Sequence, residues 1–153
     1  MANGEMVGWL NSDDTYFDKN VFSNIVKAFK KPEADIIYGD YVAIDKANLI
    51  MQVYLVPDYS YERLLRYDCV PQGPLFFKRE VIKKNKLESS LQYPHDYEFW
   101  LRLGKRYRFK HIHRILLCGR YHGKMKSLAG DRKVWEEELL QLKKQYGLSD
   151  VSF

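Results

Sequence analysis

Cysteine is scarce in this chain: Cys69 and Cys118 are the only two in 153 residues, and they form no CxxC pair. That argues against a disulfide-built scaffold and leaves two buried, reduced thiols as the expectation. Long apolar runs are missing too, since no stretch approaches the roughly 20 residues of a membrane span. The opening "MANGEMVGWL" has neither the basic start nor the long apolar centre of a secretory signal. The expected compartment is the cytoplasm. Internal repeats, low-complexity tracts and Gly/Ser linkers are absent as well, so nothing marks a second domain and residues 1–153 read as one. Acids are short in one place: residues 102–133 hold eleven Lys or Arg against a single Asp131. Such a segment expects an anionic neighbour, whether nucleic acid, a phosphate-bearing small molecule or an acidic membrane surface, unless it is simply a solvated face.

What is present is ample material for a core, with 46% hydrophobic and 15% aromatic residues. The patterning alternates. "EMVGWL" reads as a short strand, and Asp18 as the N-cap of a helix whose Val21, Phe22, Ile25, Val26 and Phe29 share a face. "ADIIYGDYVAI" is a second strand, with "LIMQVYLV" as its hairpin partner across "DKAN". A short helix follows Ser60, and the turn-rich "CVPQGP" leads into the strand "LFFK". "HDYEFWLRLGKR" has helical spacing, "FKHIH" and "RILLCGRYH" read as two further strands, and residues 131–147 form an amphipathic helix stopped by Gly147. The pattern predicts an α/β fold.

Within it, "GWLNSDDTYF" ends an apolar strand on two adjacent acids, Asp13 and Asp14. In open α/β sheets ligands bind at the carboxyl ends of strands. Two neighbouring carboxylates are costly unless a cation lies beside them. A hard cation, Mg2+ or Mn2+, bridging to a diphosphate would supply that, and a simple turn or helix cap is the plain alternative. An apolar strand followed by Asp-x-Asp-x-Thr also resembles haloacid-dehalogenase-type phosphatases. Asn11 stands where their nucleophilic aspartate would be, however, and an amide cannot form an aspartyl-phosphate.

The order of motifs resembles the second half of a family 2 glycosyltransferase with the GT-A fold, over roughly residues 4–128. "GEMVGWLNSDDTYF" is similar to that family's Asp-x-Asp element, "ADIIYGDYVAID" to the strand that follows, and "VPQGPLFFKREV" to its acceptor-side loop. "YPHDYEFWLRL" is similar to the stretch bearing the catalytic base and "GRYHGKMKS" to the late Arg-x-His segment. The resemblance implies a partial GT-A fold, a mixed sheet with flanking helices, and an inverting transfer from a nucleotide-diphosphate sugar, a UDP-sugar by expectation, to a carbohydrate or lipid-linked hydroxyl acceptor. It implies metal contact through Asp13, Asp14 and His122, diphosphate contact through His122, and Asp96 as general base. Asn11 replaces the first acid of the triplet, and His95 replaces the usual Glu before Asp96. The family's opening strand, first helix and base-reading acid have no counterpart in the sequence.

Arg102 and Arg120 are expected on the diphosphate or in structural roles. Gln72, Gly73 and Trp100 are expected on the acceptor side, because sugars stack on aromatic faces and hydrogen-bond to amides; for Trp100 a core position is the alternative. A zinc site from His111, His113 and His122 is weighed and set aside, since no cysteine or acid at ligand spacing completes it. Rival classes are a non-catalytic relative that binds a protein or an anionic surface through residues 102–133, and a nucleic-acid binder stacking bases on Tyr107, Phe109 and Tyr121. No nucleic-acid motif accompanies those aromatics, so nucleic acid is not an expected partner. Peripheral contact at the inner membrane face remains compatible with the basic segment. With no preceding strands to pair with, "MVGWLN" is expected to present an open edge that drives self-association.

Overall fold

The computed structural model describes residues 3–122 and 130–148. Its elements run β1 (Met6–Gly8), β2 (Thr15–Tyr16), α1 (Val21–Phe29), β3 (Ile36–Ile44), β4 (Ile50–Tyr54), α2 (Tyr61–Leu64), β5 (Leu75–Lys78), α3 (Arg79–Lys84), α4 (His95–Gly104), β6 (Phe109–Arg120) and α5 (Arg132–Tyr146). This is an α/β arrangement around one mixed sheet in the order β1-β5-β3-β6-β2, with β4 also paired to β3. The architecture is compatible with part of a nucleotide-sugar transferase-like fold.

The long strand β3 organises the sheet. Along one edge it pairs with β6 in parallel through its whole length. Along the other it pairs antiparallel with β5 through Ile36–Tyr38 and with β4 through Tyr41–Ile44. The alternation of a strand sends Ile36, Tyr38, Leu75 and Phe77 to one face, where α4 and α5 close a large core containing Phe99, Trp100, Leu139 and Leu142. Ile37 and Phe76 point to the other face, against Val21 and Ile25 of α1. Both faces of β3 are therefore buried, which is why it reads as an almost unbroken apolar run.

Four local expectations are corrected. Residues 109–120 form one strand rather than two; where the sequence suggests a break, His113 and Arg114 bulge, so that Gly39 pairs with Ile112 but Asp40 with Ile115. Gly39 permits this crossing, since a Cβ there would lie 2.6 Å from the Arg114 carbonyl oxygen. The N-cap position of α1 is Asn20, without a side-chain cap, while Asp18 Oδ1 accepts the Asn20 N–H at 2.7 Å. On α1 only Val21 and Ile25 are buried, and Phe22 and Val26 are exposed. Cys69 is buried but Cys118, opposite Thr15 on β2, is only half-buried; both thiols are free.

At the other end α5 is capped at both termini, and its Gly147 stop is where the sequence puts it. Asp131 accepts the N–H groups of Lys133 and Val134, and Gly147 closes the helix in the left-handed conformation at φ 63°. Its buried Glu138 reaches across to accept the N–H groups of Gln92 and Tyr93, at 2.8 and 3.0 Å. That contact positions the loop entering α4. No helix among the described residues is long and apolar enough to cross a membrane.

Candidate functional site

A cleft of about 830 Å3 opens beside the carboxyl ends of β3 and β6. Its walls come from stretches distant in sequence, among them the turn after β1, the paired strands β3 and β4, the "PQGP" loop, the start of α4 and the end of β6, with Trp135 of α5. Asp13, Asp14, Asp96, Arg120 and His122 all line it. Trp9 and His95, with ring centroids 6.4 Å apart, bring the turn after β1 to the start of α4.

The two adjacent acids have different duties. Asp14 also braces the turn: one oxygen accepts from Asn11 Nδ2 at 3.0 Å and the other from the Arg120 backbone N–H at 3.0 Å. Asn11 thus supports the turn, which explains an amide at that position. Asp13 turns into the cleft, its Oδ2 lying 2.8 Å from His122 Nε2. The His122 hydrogen bond holds the Asp13 carboxyl below its ordinary range, with help from its own backbone and from the His122 and Arg120 charges. Arg120 is a brace. Its guanidinium donates to the carbonyls of Asp13 and Asp45 and to Asn48 Oδ1, tying the β3–β4 turn to the acidic loop.

Asp96 sits in the first turn of α4, where Oδ1 accepts the Tyr97 N–H at 2.9 Å. Its neighbour in the cleft is Asp68, which the sequence reading missed. Removal from water, then the Asp96 charge, push the Asp68 carboxyl well above its usual range. A lone acid in a turn offers no pattern by which to find it.

Two expected site residues lie elsewhere. Trp100 is fully buried, packed against Phe77, Phe99 and Phe109, and does not line the cleft. Its place on α4 is set by helical spacing, with Phe99, Leu101 and Leu103 buried around it. Arg102 also lies off the cleft. It forms a two-pronged ion pair with buried Glu98 at 2.8 and 2.9 Å and donates to the Lys86 carbonyl. Its charge neutralises a core carboxylate rather than a ligand. Gln72 and Gly73 do line the cleft, and a Cβ on Gly73 would lie 2.3 Å from Leu117 Cδ2, so the Leu117 side chain would have to shift to admit one. The aromatic wall is built instead from Trp9, Tyr121, Trp135 and the stacked pair Tyr41 and Tyr54, whose rings lie 4.6 Å apart. The spacing that identified helices could not reveal this wall, because its members come from separate elements.

The weighed histidine triad does not assemble. His122 faces Asp13, whereas His111 and His113 face Asp58. Of the basic segment, Arg102, Arg108, Lys110, Arg132 and Lys133 pair with nearby acids. The remainder of "GRYHGKMKS" after His122, with Lys124 and Lys126, lies outside the described residues.

No family model matches the chain. It is 29% identical over 129 residues to a protein of Rickettsia typhi described as an uncharacterized glycosyltransferase, covering 78% of this chain and 40% of that one. A second protein under the same description, from Methanocaldococcus jannaschii, is 22% identical over 122 residues, covering 76% of this chain and 42% of its own. These similarities support a glycosyltransferase relationship. The chain spans about 40% of the length of the curated relatives it matches.

Proposed function

We propose that the chain is the acceptor-side portion of a metal-assisted, inverting glycosyltransferase of family 2 with the GT-A fold. The observation that carries this reading is the convergence of Asp13, His122 and Asp96 on one cleft from three distant segments. The carboxylates of Asp13 and Asp14 suit Mg2+ or Mn2+, and the His122 ring nitrogen, 2.8 Å from Asp13, favours Mn2+ of the two. Such an ion, when bound, neutralises the charge of a departing diphosphate. Asp96 accepts the proton of the acceptor hydroxyl as its oxygen bonds to the anomeric carbon, and the bond from that carbon to the diphosphate oxygen breaks with its electron pair. Removal from water shifts the neighbouring Asp68 toward its protonated form, which makes it the poorer proton acceptor of the two. The acceptor rests against the Tyr41–Tyr54 and Trp9 side of the cleft, near Gln72.

The donor is a nucleotide sugar, a UDP-sugar in this reading. The chain spans about 40% of the length of its relatives, and in this reading it binds donor weakly by itself and self-associates along β1, whose outer edge has no partner strand among the described residues. A lipid-linked acceptor and peripheral contact with the inner membrane face are favoured by exposed Leu49, Ile50, Met51, Val53 and Leu55 around β4, with Lys46 in the adjoining turn. Calorimetry with Mn2+ and UDP tests the metal role. The expected result is binding by wild type that weakens at least about tenfold in Asp13→Asn; equal heats from the two proteins refute it.

A further inference from the structure

His111 is buried, yet both of its ring nitrogens meet carboxylates. Nε2 lies 3.0 Å from Oδ1 of buried Asp40 on β3, and Nδ1 lies 3.1 Å from Oδ1 of Asp58. Asp40 Oδ1 also accepts the Val56 N–H at 2.9 Å, and Tyr38 donates its hydroxyl proton to the Pro57 carbonyl at 2.8 Å. These bonds latch the segment before α2 onto the sheet and deliver Asp58 over the imidazole. The β6 bulge brings in a third group: His113, exposed, with Nε2 3.5 Å from the same Asp58 oxygen and its ring edge-on to His111 at 75°.

With His111 donating through Nε2–H to buried Asp40, the Nδ1 lone pair faces the Asp58 oxygen. Two acceptors at 3.1 Å repel unless a proton or a cation lies between them. A proton accounts for that one distance and leaves His113 unexplained. A metal ion accounts for all three, because the ligand atoms of Asp58, His111 and His113 lie within 4.8 Å of one another. Ligands about 2.0–2.1 Å from a tetrahedral zinc are about 3.4 Å apart, close to the 3.1 and 3.5 Å found. A histidine ligand whose other nitrogen donates to a carboxylate is the usual supported arrangement, and Asp40 fills that role.

We propose that Asp58, His111 and His113 bind a Zn2+-class divalent transition metal, with a fourth position open to water, at a site separate from the cleft. Two imidazoles and one carboxylate select such an ion over Mg2+, which prefers oxygen. None of the three residues lines the cleft, so the site is independent of the proposed transferase chemistry. Bound metal would clip the segment between β4 and α2 to the bulge of β6.

The test uses the full chain, free of any histidine tag and stripped of metal, titrated with Co2+ by visible absorption and with Zn2+ by calorimetry. Four proteins are compared: wild type, Asp58→Ala, His113→Ala and the cleft variant Asp13→Asn. Asp58 and His113 are surface residues, so their variants are expected to keep the wild-type circular dichroism. The expected result is one Co2+ with the intense visible bands of a tetrahedral site, retained in Asp13→Asn and weakened at least about tenfold in each of the other two. Absence of those bands from wild type, bands indifferent to Asp58→Ala and His113→Ala, or bands lost in Asp13→Asn would each overturn the proposal.

Discussion

His122 and His111 each face a carboxylate at close to 3 Å, but their settings are opposite. The His122 and Asp13 side chains keep 26% and 40% of their surface in water, at the mouth of a cleft. Those of His111 and Asp40 keep 1% and 6%, sealed between β3 and β6. An exposed pair exchanges its partner cheaply, because water replaces what is lost. A buried pair cannot, because losing one member strands the other in a medium that does not solvate it. The same two residue types therefore give an exposed, exchangeable pair in one place and a structural latch in the other.

Breaking each pair should expose that difference. In chelator, His111→Ala is expected to lower folding stability by about 3 kcal/mol, since Asp40 stays buried with only the Val56 N–H. His122→Ala should change it by no more than about 1 kcal/mol. Urea unfolding of the two variants measures both, and equal losses would erase the distinction.

The cleft's worth should appear in chemistry instead of stability. With this chain joined to a donor-binding portion, Asp96→Asn is expected to reduce turnover at least about 100-fold with donor affinity little changed, because the amide keeps the shape and loses the basicity. Steady-state assays separate the two parameters. Near-normal turnover would make Asp96 only the group that bonds the Tyr97 N–H.

Asp68 sharpens the comparison by being a cleft carboxyl with no histidine. Its folded-state value is raised above the ordinary 3.8, so above that pH the folded chain holds a proton that the unfolded chain releases. Stability then falls as pH rises through that window. Asp68→Asn is expected to melt higher than wild type at pH 7, with the gap closing near pH 4. Thermal melts across that range give the sign, and a variant that melts lower at pH 7 would contradict it.

Much of the architecture was legible along the chain. The apolar run of β3, the short helix after Ser60 and the Gly147 stop are local signals, set by periodicity and by backbone groups needing partners within a few residues. Asp13, Asp14 and Asp96 could be singled out because each stands in a short motif. Trp100 and Arg102 were misplaced for one reason: on α4 the residue types suited to ligands also suit a core and its neutralised Glu98, and only packing says which face is which. Asp68, the aromatic wall and Asp58 carried no signal, because their significance comes from neighbours on other elements, Asp96 for Asp68 and His111, 53 residues on, for Asp58.

By itself, then, the sequence determined the succession of strands and helices and the acidic turn after β1, since hydrogen bonding and side-chain alternation act over a few residues. Tertiary structure alone decided that Asp13 would meet His122 while Asp14 braced Arg120, and that the β6 bulge would turn His111 inward to Asp40 and set His113 beside Asp58. Burial and desolvation are properties of the assembled sheet, and they determine which carboxyl groups are shifted toward their charged form, as Asp13 is, and which toward their protonated form, as Asp68 is.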